Sequence, residues 1–142
     1  METVHGTAVE IEGAGILLRG PSGSGKSDLA LRLIDGGATL VADDRVILTR
    51  RGDRVLAAAP DTIAGKLEVR GLGIVKLPSA GPAPLHLVVE LAPPLAIERL
   101  PKAAETMLLG VALPVMHLAP FEPSAPAKLR LALRLAPREI ER

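Results

Sequence analysis

The residues best suited to chemistry lie in a glycine-rich stretch near the start of the chain, GPSGSGKS. The stretch fits the pattern G-x-x-x-x-G-K-[ST], in which glycines let consecutive backbone N–H groups turn toward a polyphosphate. Lys26 is expected to reach the β- and γ-phosphates, and Ser27 to offer its hydroxyl to Mg²⁺. The alternative is a glycine-rich turn followed by an ordinary surface lysine. The expected phosphate-binding residues are Gly20, Pro21, Ser22, Gly23, Ser24, Gly25, Lys26 and Ser27.

Two adjacent acids, Asp43 and Asp44, follow the apolar run TLVA. Open α/β sheets place their ligand crevice at the carboxyl ends of strands, so both acids are expected at the site. Asp43 could accept a proton from an attacking hydroxyl, while Asp44 could hold a neighbouring Lys, Arg or metal-bound water. The alternative is a metal-binding acid of the Walker B kind followed by a turn residue.

The remaining candidate residues carry weaker signals on their own. His5 precedes the first predicted strand, where an isolated histidine is more often solvated than catalytic. His86 and His117 are interpreted as packed or surface residues because no histidine pair has the spacing of metal ligands. Glu68 lies near a Gly-x-Gly turn, and its alternative role is an ion pair with Arg70 at a strand edge.

The elements around the glycine stretch are predicted from apolar periodicity and glycine punctuation. TAVEIEGAGILLRG indicates two short strands joined by a turn at residues 13–15. A helix is predicted from Lys26 to the stop at Gly36 and Gly37. A buried strand interrupted by two carboxylates is predicted in ATLVADDRVILTR. Strand, phosphate loop, helix and strand in this order are typical of an α/β protein with a parallel or mixed sheet.

Later segments give further predictions, except for one that stays unassigned. GDRVLAAAP indicates a hairpin strand, KLEVRGLGIVKLP a strand broken by a turn at residues 71–73, and PLHLVVELAPP a strand closed by two prolines. The segment at residues 101–120 mixes helix and strand signals and receives no assignment. Ser124 is predicted to cap a short helix that ends at Pro137.

Composition excludes several classes of protein. The 142 residues predict one domain, residues 1–142, with an aliphatic core, because 48% of residues are apolar and Phe121 is the only aromatic. The absence of cysteine excludes disulfides and fits a cytoplasmic protein. A net charge of +1 and the lack of stacking aromatics argue against nucleic-acid binding. No apolar run approaches the ~20 residues that a membrane span needs.

Taken together, three blocks and a short upstream motif resemble one known family. GPSGSGKSDLALRL, LVADDRV and LEVRGLGIV, with VHG upstream, are similar to the catalytic domain of the bacterial HPr kinase/phosphorylases. The matched blocks run from about Val4 to Val75, half of the chain. The resemblance implies a P-loop fold of the phosphoenolpyruvate-carboxykinase type with a mixed sheet. It also implies an ATP- and Mg²⁺-dependent kinase that acts on a serine of the phosphocarrier HPr, and assembly as a homo-oligomer, a hexamer in the family.

The resemblance also implies roles for single residues. Residues 20–27 would bind ATP, and Ser27 and Glu68 would lie at the Mg²⁺ site. His5 and Lys26 fall on active-site positions of the family. Asp43 falls on the carboxylate that acts as base in phosphorylation and as acid in the reverse attack by inorganic phosphate. Residues 68–76 match the family's signature loop.

The chain departs from the family pattern in several places. It looks like the truncated form without the N-terminal domain, and Asp28 stands where Glu is common. The family's basic C-terminal block, tied to dephosphorylation, has no clear counterpart in LAPFEPSAPAKLRLALRL, while Arg99 is the candidate for the family's active-site arginine. Two rival functions are a small-molecule P-loop kinase and a nucleotide-sensing module with little catalysis.

Overall fold

The computed structural model describes residues 1–135 and 139–141, and far more of these lie in β-strands than in helices. The strands are β1 Glu2–His5, β2 Thr7–Ile11, β3 Ala14–Arg19, β4 Thr39–Ala42, β5 Arg45–Arg51, β6 Arg54–Ala58, β7 Lys66–Val69, β8 Gly73–Lys76, β9 Ala83–Leu91, β10 Ala104–Leu108 and β11 Val111–Leu118. The helices are α1 Lys26–Asp35 and α2 Ala125–Arg134, with short 3-10 turns at Asp61–Ile63 and Pro94–Ala96. In the ranges described, neither helix has the length and apolar character needed to cross a membrane.

The main sheet is mixed and is organised around β9. On one side β9 pairs with β3 in parallel, and β3 continues through antiparallel pairings to β2 and then β4. On the other side the start of β9 pairs with β6, and its end pairs with β11. The sheet then extends from β6 to β5 and β1, while β7 and β8 form a separate hairpin. The predicted α/β class with a mixed sheet is confirmed.

Strand direction brings the two predicted motifs to the same place. Because β3 and β4 are both antiparallel to β2, they run in the same direction with β2 between them. Their carboxyl ends therefore meet at one edge of the sheet. The glycine loop follows β3 and Asp43 follows β4, so the fold places the loop beside the acids.

Alternating side chains divide the core into two layers. In β3, Leu17 belongs to a cluster formed with side chains of β4, β5, β6 and β9. Ile16 and Leu18 belong to a second cluster, the helix-side layer, which includes side chains of α1 and α2. Helix α1 buries Leu29 in the helix-side layer. Helix α2 packs against α1, and Arg130 donates a hydrogen bond to the Leu33 carbonyl at 2.9 Å. The helix-side layer holds α1, and with it the glycine loop, against the sheet.

The sequence does not predict two of the strand regions. The sequence places His5 ahead of the first strand, whereas in the structure His5 is the last residue of β1 and lies opposite Arg45 of β5. Within ETVH, only Val4 is apolar, so no alternation signals a strand. The unassigned residues 101–120 contain the β10–β11 hairpin, which turns at Leu109 and Gly110, both with positive φ. Strand β1 pairs with the distant β5, and the hairpin joins the main sheet where β11 pairs with β9.

The second helix begins where the sequence predicts, with different capping. Ser124 occupies the N-cap position, but no side-chain hydrogen bond caps the helix there, and a proline lies within the first two helical positions. The predicted end at Pro137 lies outside the described residues, within which the helix ends at Arg134. The prediction that residues 1–142 form one domain stays a prediction.

Helix α1 offers a matched test of the helix-side layer. Leu29 is 0% exposed, whereas Leu31 on the same helix is only partly buried. We expect Leu29→Ala to lower the free energy of unfolding by about 2–5 kcal/mol, because it leaves a cavity. Leu31→Ala should cost clearly less. Urea unfolding of both variants measures this difference, and equal losses would contradict the assigned packing of α1.

Candidate active site

The glycine loop presents an uncapped helix end to solvent. Gly25 is the N-cap of α1, and no side chain hydrogen-bonds to that cap. The first helical hydrogen bond runs from the Leu29 N–H to the Gly25 carbonyl at 2.9 Å. The N–H groups of residues 26–28 therefore lack helical partners and sit at the positive end of the helix dipole. This geometry suits a phosphate group.

Two independent features of the loop require a residue without a side chain at position 25. The φ of Gly25, +103°, lies in the left-handed region, where a Cβ is disfavoured. A Cβ placed there would also lie 2.9 Å from Phe121 Cζ and 3.0 Å from Pro120 Cγ. The loop backbone is thus packed directly against the segment at residues 120–121.

Lys26 is a buried lysine rather than a surface one. It is 7% exposed, and its Nζ donates to the carbonyls of Gly20 at 2.7 Å and Pro21 at 2.9 Å. Burial lowers the pKa of Lys26, while the charges of Asp43 and Asp44 act in the opposite direction. The alternative of an ordinary surface lysine is therefore wrong.

Asp43 joins three parts of the cleft. Its Oδ1 accepts hydrogen bonds from the Thr7 hydroxyl at 2.9 Å and the Ser27 hydroxyl at 2.8 Å. Its Oδ2 lies 3.5 Å from the Glu68 backbone N–H, at the long limit of a hydrogen bond. An ionised carboxylate only accepts hydrogen bonds, so both hydroxyls donate and Ser27 Oγ keeps its lone pairs. The two hydroxyls thus hold Oδ1, and Oδ2 retains capacity to accept.

Both acids lie in one strained turn. The Arg45 N–H donates to the Asp43 carbonyl at 2.9 Å across Asp44, whose φ is +72°. This i to i+2 hydrogen bond and positive φ are typical of a classic γ-turn, a rare conformation. The Asp44 side chain is 71% exposed, and its Oδ1 lies 3.5 Å from His5 Nδ1. The acids therefore have different surroundings, as expected, with Asp43 held inside and Asp44 paired at the rim.

His5 is positioned through the glycine that follows it. The Gly6 N–H donates to the Asp44 carbonyl at 3.1 Å, which ties the end of β1 to the γ-turn. A Cβ at Gly6 would lie 3.0 Å from the Leu18 carbonyl oxygen, so a larger residue would push this junction off the sheet. The glycine of the short motif VHG is thus explained by the close approach of its backbone to the Leu18 carbonyl.

These residues line one cleft of about 950 Å³. The predicted site residues that line it are His5, Ser22, Gly23, Gly25, Lys26, Ser27, Asp43, Asp44 and Glu68. The hairpin β7–β8 forms the opposite wall and contributes Glu68 and Arg70, which form no ion pair with each other within the described part of the chain. Gly20, Pro21 and Ser24 instead contact the Lys26 ammonium.

Arg99 is not brought to the cleft. It is exposed in the segment after β9, and its neighbours Glu98 and Leu100 line a separate groove. His86 and His117 are also exposed, as interpreted from the sequence. None of these three side chains lines the cleft, so the candidate chemical groups are those near the glycine loop.

Thr7 is the site residue that sequence reasoning missed. It is 0% exposed and hydrogen-bonds to Asp43 through its hydroxyl. Its only sequence signal is a polar residue at the start of an apolar strand, which is too common to identify a partner. The role of Thr7 follows from tertiary structure alone.

The oxygen donors of the cleft suit a magnesium ion. Within the residues described, no group of three or more His, Asp or Glu side chains converges as a cage for a metal. Mg²⁺ commonly binds through one or two protein oxygens together with substrate phosphates, so such a cage is not required. Ser27 Oγ with its free lone pairs and the exposed Glu68 carboxylate fit this requirement.

The contact between Thr7 and Asp43 makes the first prediction from the site. Thr7→Val keeps the shape of the side chain but removes one hydrogen bond to a charged group. We expect the free energy of unfolding at neutral pH to fall by about 1–3 kcal/mol. Thr49→Val in β5 is the control, since the Thr49 hydroxyl forms no hydrogen bond among the described residues. Equal stability changes in denaturant titrations would refute the role of Thr7.

The buried Lys26 makes a prediction about pH. Because its pKa is lowered from 10.5 in the folded state, the unfolded chain binds more protons between the two pKa values. Stability relative to Lys26→Met should therefore increase as the pH rises through that window. Urea unfolding from neutral to alkaline pH measures the difference, with Lys102→Met as the control at an exposed lysine. A difference that falls with rising pH would contradict the burial of the ammonium.

Curated relatives share this region of the chain. A HPr kinase/phosphorylase of Chlorobium phaeobacteroides is 37% identical, and the match covers 84% of this chain and 38% of the relative. A HPr kinase/phosphorylase of Clostridium tetani is 47% identical over 54% of this chain and 25% of its own length. The chain thus spans well under half of the length of these relatives.

The fold and the family are supported separately. The solved structure of the Hpr(Ser) kinase/phosphatase from Coxiella burnetii superposes with a TM-score of 0.84, at 24% identity over 94% of this chain and 95% of that chain. At this identity, the likeness shows a shared fold. The family model described as HPr Serine kinase C-terminal domain matches residues 1–119, which include every residue of the glycine loop and both acids. The chain therefore belongs to the HPr serine kinase C-terminal domain family.

Proposed function

We propose that this chain transfers the γ-phosphoryl group of ATP to a serine of HPr or of an HPr-like phosphocarrier. The observation that carries the proposal is the hydrogen bond between Asp43 and Ser27, which fixes a proton acceptor beside the phosphate loop. Membership of the family and the names of the curated relatives support the phosphocarrier as acceptor.

The proposed transfer uses Asp43 Oδ2, the carboxylate oxygen that the Thr7 and Ser27 hydroxyls do not contact. The acceptor serine Oγ attacks the γ-phosphorus while its proton passes to Asp43 Oδ2. The bond from the γ-phosphorus to the oxygen shared with the β-phosphate breaks, and ADP leaves. Thr7 and Ser27 keep the carboxylate oriented through Oδ1, so little reorganisation is needed at the moment of transfer.

Charge in the cleft supports binding of the phosphates. The N–H groups of residues 26–28 and the Lys26 ammonium supply positive potential at the loop. A Mg²⁺ ion held by Ser27 and Glu68 would neutralise phosphate charge during transfer. At the rim, the contact between His5 and Asp44 would orient the acceptor side of the cleft. Arg99 has no role in this mechanism, because it does not line the cleft.

The same groups could run the reaction in reverse. In the proposed phosphorolysis, an oxygen of inorganic phosphate attacks the phosphorus of phosphoserine, and the bond from phosphorus to serine Oγ breaks. Protonated Asp43 returns its proton to the serine oxygen, and pyrophosphate leaves. The phosphoryl group and the proton both move opposite to the kinase direction, and inorganic phosphate takes the place of ADP as the phosphoryl acceptor.

Assembly and location form part of the proposal. Large apolar side chains are exposed near the β10–β11 hairpin: Leu95 at 102%, Leu100 at 63% and Met107 at 62%. Exposed apolar residues of this kind support contact between copies, in line with the homo-oligomer implied by the resemblance. The reaction is assigned to the cytoplasm, which fits a chain without cysteine.

The test is phosphorylation of purified HPr from the same organism with Mg-ATP, read by intact mass and phosphosite mapping. Wild type should add a phosphoryl group to a serine. Asp43→Asn should slow transfer by roughly 10² to 10⁴-fold, as expected for loss of a general base, while ATP still binds. Lys26→Ala should abolish turnover. Asp53→Asn, at the exposed tip of the β5–β6 hairpin, is the matched control and should transfer at the wild-type rate.

Other outcomes separate the rival functions. ATP binding without transfer to any carrier would favour a nucleotide-sensing module. Transfer to a small hydroxyl compound, with no need for a carrier, would favour a small-molecule kinase. Wild-type activity of Asp43→Asn or Lys26→Ala would contradict the proposed mechanism itself.

A further inference from the structure

Phe121 stands out among the residues of the cleft. It is the only Phe, Tyr or Trp in the chain, and it is 67% exposed at the cleft rim. Most of the catalytic end of the cleft is polar, with His5, Lys26, Asp43 and Asp44. An exposed aromatic ring at this position can offer its face to the apolar part of a ligand bound in the cleft.

The backbone on either side of Phe121 is fixed, and the ring lies against the glycine loop. Its Cζ would contact a Cβ at Gly25, so it lies directly on the backbone of the phosphate loop. The flanking residues are tied to α1, because the Arg32 guanidinium donates to the Pro120 carbonyl and to the Glu122 carbonyl. Arg32 Nε also donates to Asp28 Oδ2 at 3.1 Å, within α1. The position of Phe121 relative to the loop is therefore set by hydrogen bonds to the helix that the loop begins.

Leu31 extends the ring into a small apolar shelf. It lies one helical turn beyond Asp28 on α1, is half-buried and lines the same cleft. We use the name apolar shelf for Leu31 and Phe121 together. Asp43 approaches the phosphate loop from the side of Ser27, whereas Phe121 contacts it at Gly25.

The geometry of phosphoryl transfer sets the directions in which the acceptor and the nucleotide lie relative to the phosphorus. In an in-line displacement, the attacking oxygen and the leaving oxygen lie on opposite sides of the phosphorus. The acceptor must approach from the side of the proton acceptor, Asp43. The leaving diphosphate and its nucleoside must then extend away from Asp43. The apolar shelf lines the same cleft and meets the loop at Gly25, not at the contact between Asp43 and Ser27.

We infer that the apolar shelf binds the base of the nucleotide, with the Phe121 ring stacked on it. The inference rests on the proposed function for the presence of a nucleotide. Stacking uses the π-face that every base has, and neither shelf side chain carries a hydrogen-bonding group. The shelf therefore adds affinity while discriminating little between adenine and guanine, so ADP and GDP should bind within about tenfold of each other.

The first experiment separates the base from the phosphates. Calorimetric titrations measure the affinity of ADP and of tripolyphosphate, which lacks a base, for wild type and for Phe121→Ala. The variant should bind ADP roughly 5- to 100-fold more weakly and bind tripolyphosphate with little change. Phe121→Tyr should bind ADP nearly as wild type does. Leu131→Ala removes another exposed apolar side chain, on α2 and away from the cleft, and should change neither affinity.

Several results would overturn the inference. Equal weakening of ADP and tripolyphosphate by Phe121→Ala would mean that the ring only shapes the loop at Gly25. Unchanged ADP affinity would mean that the base lies elsewhere, and the proposed kinase function would survive. Failure of wild type to bind either compound would overturn both the shelf and the proposed function. Strong preference for one of ADP and GDP would contradict recognition by stacking alone.

A second experiment needs no variant. Because the chain contains one phenylalanine, labelling with ring-¹³C phenylalanine gives signals from Phe121 alone. With ADP bound, isotope-filtered NMR should show nuclear Overhauser contacts between the ring protons and the H2 or H8 proton of adenine. Absence of these contacts in the saturated complex would refute the stacking.

Discussion

One carboxylate oxygen connects the parts of the cleft. Asp43 follows β4, and its Oδ1 accepts hydrogen bonds from Thr7 on β2 and from Ser27 at the start of α1. Sheet and phosphate loop therefore cannot shift relative to each other without losing a hydrogen bond to a charged group, which is among the stronger hydrogen bonds in proteins. Since both donors use Oδ1, the other oxygen remains available for chemistry.

Two features of the cleft oppose folding and are held by the surrounding structure. Burial disfavours the charged form of Lys26, and Asp44 has a positive φ at the centre of a γ-turn. The carbonyls of the loop partly satisfy the ammonium, and the Gly6 N–H fixes the turn. Unfavourable local structure of this kind concentrates at functional sites, since the same charges and dihedral angles that weaken folding serve binding and catalysis.

Local signals accounted for most of the fold near the site. The strand, glycine loop, helix and strand from residue 14 to residue 42 were predicted because periodicity and glycine punctuation act between near neighbours. Strand β1 and the β10–β11 hairpin were not, because their pairing partners β5 and β9 are distant in sequence. The position of Arg99 could not be predicted for a similar reason, since spacing along the chain does not show whether a side chain lies at the cleft.

The sequence by itself determined the glycine loop before α1, the neighbouring acids and the aliphatic composition of the core, because each depends on residue types at short spacing. Only the tertiary structure decided that Thr7 holds Asp43 and that Phe121 covers Gly25. It also decided that the two acids point to different surroundings. Thr7 and Asp43 are 36 positions apart, and Ser27 and Asp43 are 16 apart. Contacts over such distances arise from the order and direction of strands in the sheet, which no local pattern of residues encodes.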